Sequence, residues 1–100
     1  MSFGLPHSQV SPSFRELVAR GAALLDVRSA EEFSAAHLEG AINIPLHELE
    51  ARLSELGPKQ RPVVIYCRSG RRSSEAARVL WAAGFTRVHD LGAMFNWPKS

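Results

Sequence analysis

Val63-Val64-Ile65-Tyr66 constrains this chain more than any other feature: four consecutive β-formers with no polar residue between them. A strand with one wet face alternates apolar and polar residues. A run that is apolar on both faces predicts a central strand of a parallel sheet, covered on both sides. Ala23-Leu24-Leu25-Asp26-Val27 predicts a second buried strand. Ala41 to Pro45 predicts another, closed by the proline, and about Arg87 to Asp90 a last one.

Helical patterns fall between these runs. Ser11 as N-cap and Pro12 at the first helical position open a helix to about Arg20, stopping before Gly21. Ser29-Ala30-Glu31-Glu32 is a capping box that begins a short helix to about Ala36. Leu46, Leu49, Leu53 and Leu56 recur at helical spacing, so a helix over 46–56 is expected, its leucines facing the core and Gly57-Pro58 ending it. Ser73-Ser74-Glu75 opens a further helix, with Ala77, Leu80 and Trp81 on one face, ending at Gly84. Strands alternating with helices of this length predict an α/β domain with a mainly parallel central sheet flanked by helices.

A chain of 100 residues suits one compact domain spanning 1–100, with an ordered core expected over about 8–98. Its 45% of hydrophobic residues is enough for a core that needs no disulfide or metal staple. Cys67 is the only cysteine, so folding does not depend on an oxidising compartment. No stretch approaches the roughly 20 apolar residues that span a bilayer. The first ten residues carry no basic and apolar leader pattern. A soluble, cytoplasmic protein with no membrane partner is the expectation. The formal charge of +2 is too balanced to argue for direct nucleic-acid binding. No cofactor is called for. His7, His37, His47 and His89 are scattered, with no spacing suited to a metal.

The chemistry concentrates where the central strand ends. Cys67-Arg68-Ser69-Gly70-Arg71-Arg72 follows Tyr66 directly, and a helix starts soon after. In open α/β sheets, sites form beyond the carboxyl ends of the strands. The intervening loop can wrap the sulfur with inward-pointing N–H groups, with Gly70 giving the backbone its freedom. The following helix adds its positive N-terminal end. Each feature favours thiolate over thiol, and the thiolate is the nucleophile. Arg68, Arg71 and Arg72 would attract an anionic donor and bind its oxygens. The plain alternative for a lone cysteine is a small buried residue at a strand end. A glycine, three arginines and a helix start following at once favour the functional reading.

Cys67 to Arg72 resembles the active-site loop of the rhodanese family, Cys-Arg-x-Gly-x-Arg/Thr. Leu25-Asp26-Val27-Arg28 with Glu32-Phe33 is similar to that family's Asp-x-Arg segment. His37-Leu38-Glu39-Gly40-Ala41-Ile42-Asn43-Ile44-Pro45 is similar to its His-Ile-x-Gly-Ala-x-Asn-Ile-Pro stretch. Leu91-Gly92-Ala93-Met94 with Trp97 resembles its closing Gly-Gly-x-x-x-Trp, with alanine at the second glycine. The resemblance implies a three-layer rhodanese-like domain and a double-displacement sulfur transfer. A small anionic donor such as thiosulfate would give its outer sulfur to Cys67. The persulfide would pass it to a thiophilic acceptor: cyanide, a thiol or a sulfur-relay protein. Cys67 would be the nucleophile and Arg68, Ser69, Gly70, Arg71 and Arg72 its cradle, Arg72 standing at the family's Arg/Thr position.

Two rival functions share these residues. A rhodanese-fold phosphatase or arsenate reductase also uses a thiolate in an anion-binding loop. Those loops are one residue longer, and Tyr66 stands where cysteine phosphatases often have histidine. A non-catalytic binding or regulatory module is the other rival. Such domains commonly lack the cysteine that this chain keeps. Asp26 and Arg28 are read as a structural ion pair or loop hydrogen bond, and His37 as a hydrogen-bonded structural residue. Glu31, Glu32, Glu48 and Glu50 are read as capping or solvated groups, and Trp81 and Trp97 as packing residues.

Overall fold

A computed structural model describes residues 13–98. Four strands form one wholly parallel sheet in the order β2-β1-β3-β4, with β1 at Ala23–Asp26, β2 at Ile42–Asn43, β3 at Val63–Cys67 and β4 at Val88–Ala93. β1 and β3 lie at the centre, and every residue of both is buried. The continuous apolar runs are therefore strands covered on both faces, and the parallel α/β expectation holds.

The period of two along β3 divides its side chains between two cores. Val63, Ile65 and Cys67 join Leu25, Leu49, Leu56, Ala77 and Leu80 on one face. Val64 and Tyr66 join Leu17, Leu24 and Leu91 on the other, with Phe14, Met94 and Trp97 packed against them. α3 (Arg71–Ala82) and a 3₁₀ segment (Leu46–Leu56) cover the first face, and α1 (Phe14–Ala19) the second. The Cys67 sulfur thus faces the α3 layer.

Local chemistry explains most of the boundaries, including those that differ from expectation. α1 begins at Phe14 because Ser13 caps it, its hydroxyl accepting from the Glu16 N–H while Glu16 reaches back. The expected opening at Ser11-Pro12, and the core start near residue 8, lie outside the described residues. α2 (Ala30–Ala35) has the expected capping box of Ser29 and Glu32. β1 stops at Asp26, and the third expected strand shrinks to Ile42–Asn43 at the sheet edge.

The segment 46–56 is a 3₁₀ helix broken at Arg52 (φ −122°, ψ 22°) rather than one α-helix. A 3₁₀ helix accommodates the leucine spacing of three, four and three only with a break. Residues three apart share a face in a 3₁₀ helix, so the single step of four needs a kink between Leu49 and Leu53. Glu48 and Glu55 hold Arg52 at 2.7 and 2.8 Å beside it. Leu49 and Leu56 are buried as expected.

α3 begins at Arg71, two residues before the expected serine start, and Gly70 at φ +99° precedes it. Its buried face is Ser73, Ala76, Ala77 and Leu80. Trp81 is 57% exposed and is not a packing residue. At 3.6 residues per turn it lies roughly 90° from the centre of that face.

β4 runs on through Gly92 to Ala93, beyond its expected end at Asp90. Ile65 pairs with Asp90 and Tyr66 with Gly92, which leaves Leu91 as the extra residue of a bulge. Gly92 takes φ +84° there and donates its N–H to Asp90 Oδ1 at 2.9 Å. The bulge lets β4 pair with Cys67 through Ala93 and so pins the end of β3. Among the described residues no helix is long and apolar enough to cross a membrane.

Candidate active site

Cys67 is the last residue of β3, and the chain turns over its sulfur at once. Gly70 makes that turn: its backbone lies in the left-handed region, and its N–H donates to Cys67 Sγ at 2.9 Å. Ser73, in the first turn of α3, donates a second N–H at 3.3 Å. The sulfur therefore sits at the positive end of a helix of 12 residues, among converging backbone donors. Ser73 is fully buried, and its hydroxyl has two acceptors in reach, the Gly70 carbonyl at 3.1 Å and the sulfur itself.

Two opposing effects set the state of the thiol. Burial among apolar side chains pushes its pKa up, since a charge loses its water. The Ser73 hydroxyl and the N–H groups of Ser73, Gly70 and Ser69 stabilise the anion and outweigh that cost. Cys67 is therefore held below the ordinary cysteine value, as the loop sequence implies. The residue has no exposed surface, so the sulfur lies on the floor of the loop. Arg68 and Ser69, the next residues of the loop, are exposed.

The three arginines do not act alike. Arg68 and Arg71 are exposed and point to opposite sides of the loop. Arg68 borders a cavity of about 470 Å³ with Arg28, Glu32, Ala35, Met94 and Phe95. Arg71 and Arg72 border another of about 400 Å³ with Ser69, Leu46 and Glu75. Arg72 is already paired: Nη1 and Nη2 donate to the two carboxylate oxygens of Glu32 at 2.8 and 3.1 Å. That contact holds the Glu32 carboxyl at about 2, well below its usual value, with the Ser29 backbone assisting.

Asp26 and Arg28 form a buried ion pair, and Arg28 borders the same cavity as Arg68. Arg28 Nη2 donates to Asp26 Oδ2 at 2.7 Å and to the Ala36 carbonyl at 2.7 Å. Its guanidinium lies 5.6 Å over the Tyr66 ring, and the Tyr66 hydroxyl accepts from the Leu38 N–H. Burial, with the Asp26 carboxylate nearby, pushes the Tyr66 phenol above its ordinary range. These groups tie the 36–38 loop to the central strands. His37 donates from Nδ1 to the Phe33 carbonyl at 2.7 Å and stacks on the Phe33 ring at 3.7 Å. It is hydrogen-bonded as expected, although exposed. Among the described residues no three His, Cys, Asp or Glu side chains are grouped to hold a metal ion.

Three residues beside the loop escape a reading of the sequence. Ser73 presents itself only as a helix opener, and Glu32 only as a capping residue. Phe95 is 85% exposed in the 3₁₀ turn after β4 (Met94–Asn96), and nothing in its neighbours marks it.

The site is thus a thiolate cradle at the carboxyl end of a central parallel strand, with Arg28 of the Asp26–Arg28 pair bordering a cavity beside it. The rhodanese-like domain model matches residues 12–100. This chain belongs to the rhodanese-like domain family. A sulfurtransferase of Allochromatium vinosum is 40% identical over 77 residues, covering 76% of this chain and 71% of that protein. The thiosulfate sulfurtransferase PspE of Escherichia coli is 39% identical over 71 residues, covering 70% of this chain and 68% of the relative. A solved E. coli rhodanese with anions superposes with a TM-score of 0.73 at 34% identity, covering 78% of this chain and 95% of that one. The first two of these relatives are sulfurtransferases by name, and the α/β fold is shared with the solved rhodanese.

Proposed function

We infer that this rhodanese-like chain is a sulfurtransferase that carries sulfane sulfur as a persulfide on Cys67. The observation that carries the reading is the pair of N–H donors, from Gly70 and Ser73, directed at one sulfur. A thiosulfate sulfurtransferase and an anion-bound rhodanese among the relatives support an anionic donor.

In the first displacement the Cys67 thiolate attacks the outer sulfur of thiosulfate. The S–S bond of the donor breaks, and sulfite leaves with its electron pair. The terminal sulfur of the persulfide then occupies the anion-binding cradle, which suits a persulfide anion as it suits a thiolate. In the second displacement an acceptor thiolate or cyanide attacks that terminal sulfur and releases Cys67. Arg68 and Arg71 draw the anion to the mouth, while Ser69 and Gly70 shape the loop. Arg72 adds a cationic charge tempered by Glu32. The sulfur is buried, and Arg68 and Ser69, which follow it in the loop, are exposed. A small thiol or a partner protein able to present one fits as acceptor. A reducing compartment such as the cytoplasm keeps the lone thiol free between cycles.

Intact-mass spectrometry before and after thiosulfate, followed by a cyanide chase, tests the reading. A gain of one sulfur atom at Cys67, removed by cyanide, is expected. No gain from thiosulfate, nor from a cysteine desulfurase supplied with cysteine, would leave a binding module instead.

A further inference from the structure

Glu32 stands between the two cavities that flank the Cys67 loop. It lines the one that Arg68 borders, and its partner Arg72 lines the one that Arg71 borders. Its Oε1 accepts from both the Ser29 N–H at 2.9 Å and Arg72 Nη1 at 2.8 Å, and its Oε2 accepts from Arg72 Nη2 at 3.1 Å. The carboxylate is thus fixed by α2 and covers the face of the guanidinium that a bidentate oxyanion would otherwise take. Arg72 is close enough to Cys67 for the thiolate charge to act on it. Around the loop, Arg68 and Arg71 have no salt bridge among the described residues, whereas Arg72 has one.

Resting on the sulfurtransferase reading above, we propose that Glu32 is a specificity-determining residue. By occupying Arg72 and placing a negative charge at the mouth, it lowers the affinity of the site for doubly charged donors relative to singly charged ones. Repulsion between fixed charges scales with ligand charge, so the effect on a dianion is about twice that on a monoanion in free-energy terms.

Glu32→Gln is the discriminating variant, because glutamine keeps one oxygen as the capping-box acceptor for Ser29 while removing the charge and the second acceptor that Arg72 uses. With cyanide as acceptor, KM is measured for thiosulfate, a dianion, and for an aryl thiosulfonate, a monoanion. Each donor loses its outer sulfur to Cys67 and leaves as sulfite or the aryl sulfinate. The expected result is a KM for thiosulfate about three- to tenfold lower than that of the unaltered protein, with a smaller change for the thiosulfonate. Ser29→Ala, which weakens the cap and leaves the charge, should keep the original ratio of the two KM values. Equal changes for both donors in Glu32→Gln, or an unchanged thiosulfate KM, overturn the proposal. A second readout does not depend on turnover: protection of Cys67 from iodoacetamide by sulfate. Protection at about three- to tenfold lower sulfate concentration in Glu32→Gln supports the proposal, and unchanged protection overturns it. Failure of the unaltered protein to take up sulfur, by contrast, counts against the sulfurtransferase reading alone.

Discussion

Replacing Gly70 by alanine separates backbone strain from sulfur chemistry. Gly70 has φ +99°, and a Cβ built there would lie 3.7 Å from Gly92 Cα, an ordinary contact. The cost is therefore conformational, about 1–2 kcal/mol for a non-glycine residue forced left-handed. Reduced freedom of the unfolded chain returns about 0.4–1 kcal/mol. The net loss of about 1 kcal/mol corresponds to a fall in Tm of about 4–8 °C for a domain of this size. The same strain rotates the peptide that donates to Cys67 Sγ at 2.9 Å. A hydrogen bond to a charged group is worth about 1.5–3 kcal/mol, so losing it raises the cysteine pKa toward its ordinary value. Thermal melts and the pH dependence of iodoacetamide alkylation report the two effects. Gly21→Ala is the control, because Gly21 has φ +110° with nothing within 4 Å of a built Cβ and lies outside the loop. It should lose comparable stability and leave the alkylation midpoint where it was. An unmoved midpoint in Gly70→Ala would refute the argument that this N–H holds the thiolate.

Cys67→Ser should abolish sulfur transfer and leave the fold nearly intact. Its stability should also diverge from that of the unaltered protein with pH. The folded thiol ionises below its ordinary value of 9.0, so its contribution is fully present above about that pH and is lost as pH falls through the folded value. Denaturant titrations on the two proteins at several pH values check this, and a gap that closes toward alkaline pH contradicts it. Asp26→Asn leaves the buried Arg28 charge without its carboxylate, and should destabilise by about 3–5 kcal/mol, read by urea unfolding. Leu80→Ala should cost about 2–5 kcal/mol because Leu80 is fully buried. Trp81→Ala, on the neighbouring residue, should stay within about 0.5 kcal/mol, and a large loss there would contradict the observed helix face.

Much of this protein is legible in one dimension, because the signals that specify it are local. Runs such as Val63 to Tyr66 are apolar without alternation, and only a strand covered on both faces satisfies them. Ser29 and Glu32 are three residues apart and cap their own helix wherever it is placed. Cys67, Gly70 and the arginines lie within six consecutive residues, so a loop of N–H donors favouring the thiolate is legible there, while the Ser73 hydroxyl that adds to it is not. Four motif segments in order place the chain in its family without any coordinates.

Other properties belong to the fold. The leucines of 46–56 recur at a spacing that also fits an α-helix, and the 3₁₀ form with its kink at Arg52 is a property of the folded chain. Gly92 looks like the end of a strand, yet pairing with Tyr66 carries β4 past it as a bulge. The face that α3 buries is chosen by packing against the sheet, which takes Ser73, Ala76, Ala77 and Leu80 inward and leaves Trp81 in solvent. Above all, Glu32 and Arg72 are 40 residues apart. A local reading makes the first a cap and the second an anion ligand. Packing of α2 beside the start of α3 joins them as a pair, because electrostatic energy depends on distance in space and not along the chain.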